Sequence, residues 1–244
     1  MYDPNQFFDF LGYGRGDQLY TCPDLRTLSV YCRGDQEQLA RLFAPTPFTL
    51  TDDRFLVTIA DFTNCSAGPY FDAGIVFPVR YGDHEGANYF FEWEDQSWSV
   101  ALGRELWGYP KKFADISLTA DDAGIRGAVS LRNEPIIDLA IRYDADADGA
   151  AWDGFRTFPH LQVRAVPQPN GPAFQSFDIL SRDTSPNFLV KERRYGIGEL
   201  SLGQSVALGD NKLEVSAVLG AEYVIGDYAI TKQNGIPDVI ASLV

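Results

Sequence analysis

The chain has 244 residues, 45% of them hydrophobic and 14% aromatic, enough to bury a sizeable core in one large domain or two small ones. Its formal net charge of -14 argues against nucleic acid and anionic membranes as partners. No apolar run approaches the roughly 20 residues that span a bilayer, and the opening Met1-Tyr2-Asp3-Pro4 lacks the basic and apolar regions of a signal peptide.

Residues 1–20, rich in Phe, Gly and Asp, read as an irregular arm. β-branched and aromatic residues predict a strand from Leu25 to Tyr31, and Gln36 to Phe43 reads as a short helix stopped by Pro45 and Pro47. Phe55 to Phe62 is a mostly apolar run of strand length, and residues 63–69 are a loop. Tyr70 to Tyr81, Ala87 to Trp93 and Ser97 to Leu102 follow as three strand-like segments. Ile116 to Thr119 and Ile125 to Leu131 flank the hairpin turn 120–124, and Ile136 to Tyr143 continues the series. Phe158 to Val166 alternates, with Leu161, Val163 and Ala165 on one face and Gln162 and Arg164 on the other. A turn at Pro167–Pro172 and strands at Phe174 to Ser181, Arg193 to Leu202 and Val215 to Ile230 complete the chain, leaving a short helix or tail. Such spacing predicts a mainly β fold (α+β), an antiparallel β structure closed into a barrel or cone with a few short helices.

Cys22, Cys32 and Cys65 are odd in number and lack metal-ligand spacing, so reduced thiols and a cytoplasmic location are expected. Asp144-Ala-Asp146-Ala-Asp148-Gly149 opens like a calcium loop, but its twelfth position is Phe155, and an exposed acidic turn is favoured. His84 and His160 are too far apart in sequence to form a local ligand pair, and no metal is expected. Lys191-Glu-Arg-Arg194 reads as a solvated basic run, with contact to an acidic substrate or a neighbouring subunit as the alternative.

The chemistry concentrates in Gly103-Arg-Glu-Leu-Trp-Gly-Tyr-Pro-Lys-Lys-Phe-Ala-Asp-Ile116. Lys111 and Lys112 sit side by side among Trp107, Tyr109, Pro110 and Phe113. At its ordinary pKa near 10.4 a lysine amine is too rarely neutral at pH 7 to attack a carbonyl. Burial lowers that pKa, and so does a second cation; at about 6 Å and an effective dielectric of about 20 the repulsion is roughly 3 kcal/mol. A dry pocket with a twin cation is therefore the expected source of a Schiff-base nucleophile. The bland alternative is two exposed lysines splayed apart.

Gly103-Arg-Glu-Leu-x-x-Tyr-Pro-Lys-Lys112 resembles the active-site segment of the acetoacetate decarboxylase family, itself a known example of a lysine activated by its surroundings. The resemblance implies that Lys111 forms the Schiff base, that Lys112 is its cationic neighbour, and that the fold is a closed cone of strands. Tyr70-Phe-Asp72-Ala-Gly74-Ile-Val-Phe-Pro78-Val79 and Phe158-Pro159-His160 extend it, so that residues 1–244 are expected to form a single domain of this kind. Asp72 stands where the family has a glutamate near the lysine. Two departures concern substrate choice: the family's first-strand arginine falls at Asp24, with Arg26 two residues on as a possible substitute, and a second family glutamate falls at about Leu56.

The catalytic candidates are thus Lys111, Lys112, Asp72 and Glu105, and the substrate-binding candidates are Arg26, Tyr109 and Trp107. Glu105, Tyr109 and Asp72 are candidate proton carriers, with an Arg104–Glu105 ion pair as the structural alternative for Glu105. The implied activity is a cofactor-independent Schiff-base lyase decarboxylating a β-keto acid. The alternatives are aldol condensation with dehydration on pyruvate-like acids, and a binding barrel without chemistry in which Lys111 pairs with a ligand carboxylate. A small-molecule keto acid and a homo-oligomer are the expected partners.

Overall fold

A computed structural model describes residues 18–120, 124–203 and 213–244. In chain order these form β1 (Gln18–Gly34), helix α1 (Gln36–Phe43), β2 (Thr49–Leu50), β3 (Arg54–Asp61), β4 (Phe71–Tyr81) and β5 (His84–Glu94). Helix α2 (Ser97–Trp107) leads to β6 (Lys111–Phe113), β7 (Asp115–Ala120), β8 (Gly124–Leu131) and β9 (Glu134–Tyr143). A 3-10 turn at Ala150–Trp152 precedes β10 (His160–Pro167) and β11 (Phe174–Arg182). After a second 3-10 turn at Ser185–Asn187 come β12 (Phe188–Leu202), β13 (Val215–Thr231), α3 (Lys232–Gly235) and β14 (Asp238–Ser242). The fold is mainly β with short helices, as the spacing predicts. The expected hairpin turn at 121–123 and the arm as far as residue 17 lie outside the described residues, while Gln18 to Tyr20, expected in that arm, already belong to β1.

All the strands belong to one sheet, in the order β14-β11-β10-β5-β4-β3-β1-β13-β12-β9-β8-β7, with β2 on β4 and β6 on β5. Pairing is antiparallel except that β6 and β10 run parallel to β5. The expected closure does not occur: among the described residues β14 and β7 end the ladder. Side chains cover the apolar face instead, because the sheet curls until β8 and β9 lie over its first strands. Ile125, Val129, Ile137 and Leu139 share one core with Val57, Ile59 and Ile75. A Cβ on Gly127 would come within 2.7 Å of Ile59 Cδ1, so β8 approaches β3 closely and a side chain there would have to push the end of Ile59 aside.

Strand alternation then separates core from site. On β3, Phe55, Val57 and Ile59 enter the core, while Leu56, Thr58 and Ala60 line a cavity on the other face. On β1, Leu28, Val30 and Cys32 point inward and Thr27, Ser29 and Tyr31 face the cavity. Covering both faces explains why residues 55–62 read as an apolar run rather than as an alternating one.

Three expectations are corrected. Residues 97–102 are helical, within α2, which buries Ser99, Gly103 and Trp107 on one face and ends on Gly108 in the left-handed region, φ 72°. That i, i+4, i+8 face is mostly small residues, so it carries little apolar periodicity. The C-terminal tail includes β14, which pairs along β11 through Asp178 to Ser181. Cys22 and Cys65 form a disulfide rather than two free thiols, while Cys32 is free and buried. A β-bulge between Cys22 and Leu25 and the loop after β3 bring together two cysteines 43 positions apart, which linear spacing does not reveal. The calcium-like loop is the acidic turn expected, with Asp144 accepting from the Asp146 amide and Asp148 from the Ala150 amide.

Candidate active site

Lys111 is buried at the wall of a cavity of about 750 Å³. Its position follows from α2 and Gly108. The Tyr109 amide donates to the Gly103 carbonyl at 3.1 Å and turns the chain out of the helix, and β6 then runs parallel along β5 with Lys111 opposite Glu92. The Lys111 stem crosses α2 at Gly103, where any Cβ would overlap its Cδ and Cε. Arg104 fixes the same turn by donating from Nη1 to the Lys111 carbonyl at 3.1 Å.

Three carboxylates converge on the Lys111 amine. Nζ lies 3.1 Å from Asp72 Oδ2 and 3.2 Å from Glu92 Oε1, and it also donates to Glu94 Oε1. Register explains the set: Glu92 and Glu94 are two apart on β5 and so share a face, and Asp72 on β4 is the cross-strand partner of Glu94. Burial pushes the ammonium down, but Glu92, Glu94 and Asp72 outweigh it and hold Lys111 well above its ordinary value. The direction is opposite to the one expected from a dry pocket and a twin cation. Burial in turn raises Glu92 well above the usual carboxylate range and pushes Glu94 up to about 7, against the pull of Lys111. Each glutamate keeps its other oxygen buried without a hydrogen-bond partner among the described residues, which adds to the cost of holding a negative charge there.

Lys112 does not join this cluster. Successive strand residues point to opposite faces, so it lies exposed on the outer side of β6, where burial and then Arg104 lower its pKa. Glu105 is likewise exposed, on the outer side of α2, and Arg104 bonds the Lys111 carbonyl rather than Glu105. Arg26 turns to the other face of β1 and pairs with Asp61; the bulge between Cys22 and Leu25 breaks the alternation that would have linked it to Asp24. Asp24 itself, at φ 53°, accepts from Lys191 at 2.7 Å. Of the seven candidates, the structure brings together Lys111, Asp72, Tyr109 and Trp107.

Residues that sequence reasoning missed complete the cavity. Glu92 and Glu94 stand in Phe90-Phe91-Glu92-Trp93-Glu94, where two acids with period 2 inside an apolar strand were the available signal. The Tyr109 hydroxyl lies 2.6 Å from His160 Nδ1, and Arg182 Nη1 reaches the same hydroxyl at 3.4 Å. Because the guanidinium only donates, the phenol proton points to Nδ1. Burial, with Arg182 and Lys111 adding to it, pushes His160 down to about 3, so its imidazole is neutral. A bulge opposite Ile75 and Val76 turns Tyr89 onto the cavity face, where its ring packs on Gly74; a Cβ there would lie 2.6 Å from Tyr89 Cδ1. At the cavity's far wall Tyr31 donates to Glu222 at 2.7 Å, with Arg193 of the basic run 3.6 Å from the same carboxylate.

The family model for acetoacetate decarboxylase (ADC) matches residues 12–239. The chain belongs to the acetoacetate decarboxylase family. Membership places it among lyases. An acetoacetate decarboxylase of Burkholderia multivorans is 32% identical over 226 residues, covering 91% of this chain and 90% of that one. The acetoacetate decarboxylase structure from Legionella pneumophila superposes with a TM-score of 0.80 at 20% identity, covering 95% of this chain and 90% of the other. The enduracididine biosynthesis enzyme MppR, solved with pyruvate, has the same fold at a TM-score of 0.68 and 17% identity, covering 91% and 89%.

Proposed function

We propose that the chain is a Schiff-base lyase that decarboxylates a β-keto acid through an iminium on Lys111, without a cofactor. The observation that carries this reading is the buried amine at the cavity wall in contact with two glutamates whose affinity for a proton burial raises. A protonated lysine cannot attack a ketone, and burial disfavours the ion pair that keeps it protonated. Passing a proton from Lys111 to Glu92 or Glu94 neutralises both partners along an existing contact, leaving a free amine and a carboxylic acid. The amine adds to the ketone, and the glutamate gives its proton to the carbinolamine hydroxyl, which leaves as water and gives the iminium. The bond to the carboxylate then breaks, its electron pair moves into the iminium to form an enamine, and CO2 departs. The glutamate, reprotonated from solvent, protonates the enamine carbon, and water hydrolyses the resulting iminium to release the ketone and the Lys111 ammonium. Asp72, with Oδ2 3.1 Å from Nζ, is the second carrier.

Aldol condensation with dehydration is the second reading, and the size of the cavity favours it: 750 Å³ accommodates an aldehyde beside a keto acid. It uses the same iminium, with the enamine attacking the aldehyde and water leaving. The binding-only alternative is disfavoured because three carboxylates already surround Lys111. A single-domain chain acting as a homo-oligomer belongs to the same proposal, and light scattering tests the assembly; the cytoplasmic expectation loses its ground in reduced thiols, because Cys22 and Cys65 are joined. Intact mass after borohydride treatment with a panel of keto acids tests the function. Reduction products on Lys111, lost in Lys111→Ala, support it; an unchanged mass with every ketone would leave only binding. CO2 release then marks decarboxylation, and water loss with C–C bond formation marks the second reading.

A further inference from the structure

Arg182, at the end of β11, is 7% exposed and lines the same cavity as Lys111. Its guanidinium lies over the Trp107 ring, 4.0 Å from the centroid, and its Nε donates to the Asn234 carbonyl at 2.9 Å. Nη1 reaches Tyr109, whose ring centroid lies 5.2 Å from Lys111 Nζ, so Tyr109 stands between the two cations. Nη2 is buried and has no hydrogen-bond partner among the described residues. Among those residues the guanidinium makes no ion pair, in a chain of formal charge -14. The titratable and aromatic groups around it are the phenols of Tyr109, Tyr20 and Tyr228, neutral His160 and the Trp107 indole, and none of these neutralises it.

A buried charge without a counter-ion costs stability, and arginine cannot escape the cost by losing its proton. Trp107 and Asn234 fix the plane of the guanidinium, leaving one N–H edge for an incoming group. That edge matches a carboxylate, which takes two parallel N–H donors. The charge of the ligand and its distance from Lys111 both point to the substrate's own acid group.

We propose that Arg182 holds a substrate carboxylate that survives the reaction. The inference rests on the Lys111 reading above. During decarboxylation negative charge leaves the departing carboxylate for the iminium, so a guanidinium bonded to that group stabilises the ground state more than the transition state. Arg182 therefore suits a carboxylate that keeps its charge throughout. Two substrates have one: a 2-keto acid undergoing condensation, and a β-keto acid carrying a second, remote carboxylate. Trp107 then acts as a platform for the arginine rather than as a direct contact to substrate.

The test compares charged ketones with their neutral amides: pyruvate against pyruvamide, and 4-oxopentanoate against 4-oxopentanamide. Half-saturation of borohydride trapping on Lys111 is measured for the wild type and Arg182→Met. At least one carboxylate should bind about 10- to 100-fold better than its amide in the wild type, and that preference should vanish in the variant. Amides trapped as well as both acids in the wild type, or a preference that survives in Arg182→Met, would overturn the proposal. If Arg182→Met does not fold, Arg182→Lys, which keeps the charge but loses the fork, must lower the preference. Calorimetric binding of the same acids without borohydride separates the two readings. Binding that weakens 10- to 100-fold in the variant supports Arg182 even where no ketone is trapped, and unchanged binding overturns it.

Discussion

Lys111 and Lys112 lie on opposite faces of β6, the first buried with Nζ 3.2 Å from Glu92 and the second exposed. The pair therefore does not work as two cations crowding one pocket. Lys111→Ala should abolish borohydride trapping and lower kcat/KM by on the order of 10³-fold or more. Lys112→Ala should stay within about threefold of wild type, as exposed substitutions do. A trapped peptide carrying its label on Lys112 would reverse the assignment.

Glu94, pushed up to about 7, holds its proton in the native protein between the ordinary carboxylate range and neutrality. If Glu94 is the carboxylate that takes the Lys111 proton, kcat/KM should rise as pH passes up through about 7, because below that value Glu94 is already protonated and no free amine forms. Glu94→Gln should lose that limb and lower the rate at pH 8 by about 10²- to 10⁴-fold. A pH–rate profile of the two proteins checks both expectations.

Gly103 is where the Lys111 stem crosses α2, and a methyl there has no room. Gly103→Ala should fold with a loss of about 1–3 kcal/mol from overpacking. The displaced amine should trap ketones up to about 100-fold more slowly. Denaturant melts read the first effect and trapping kinetics the second; normal trapping would show that the stem relaxes without moving Nζ.

His160 is neutral when folded, with a pKa of about 3, but titrates near 6.5 when unfolded. Between those values the unfolded chain binds the extra proton, so this group's contribution to stability is lost as pH falls from about 6.5 towards 3. The stability of wild type relative to His160→Gln should therefore rise with pH across that window, by at most about 1.4 kcal/mol per pH unit, and level off above it. Guanidinium melts at pH 4, 5, 6 and 7 provide the comparison. An NMR titration should show the His160 ring unprotonated down to pH 4.

The sequence by itself determined the strand-rich class, because apolar and β-branched runs between turn residues require strands wherever they pack. It also located α1, where Asp35 accepts from the Gln38 amide at the N-terminus and Pro45 and Pro47 follow, and it singled out the lysine segment. These signals act over a few residues, so a linear reading retains them. What surrounds Lys111 was decided only by tertiary structure. Asp72, Glu92 and Glu94 come from two strands, and their distance from a third depends on register, while Arg182 and His160 arrive from strands much later in the chain. A bulge before Leu25 broke the alternation between Asp24 and Arg26, and one step along β6 put Lys112 outside. The sign of the Lys111 shift changed for the same reason: electrostatic energy depends on distances and burial in three dimensions, and adjacency in sequence supplies neither.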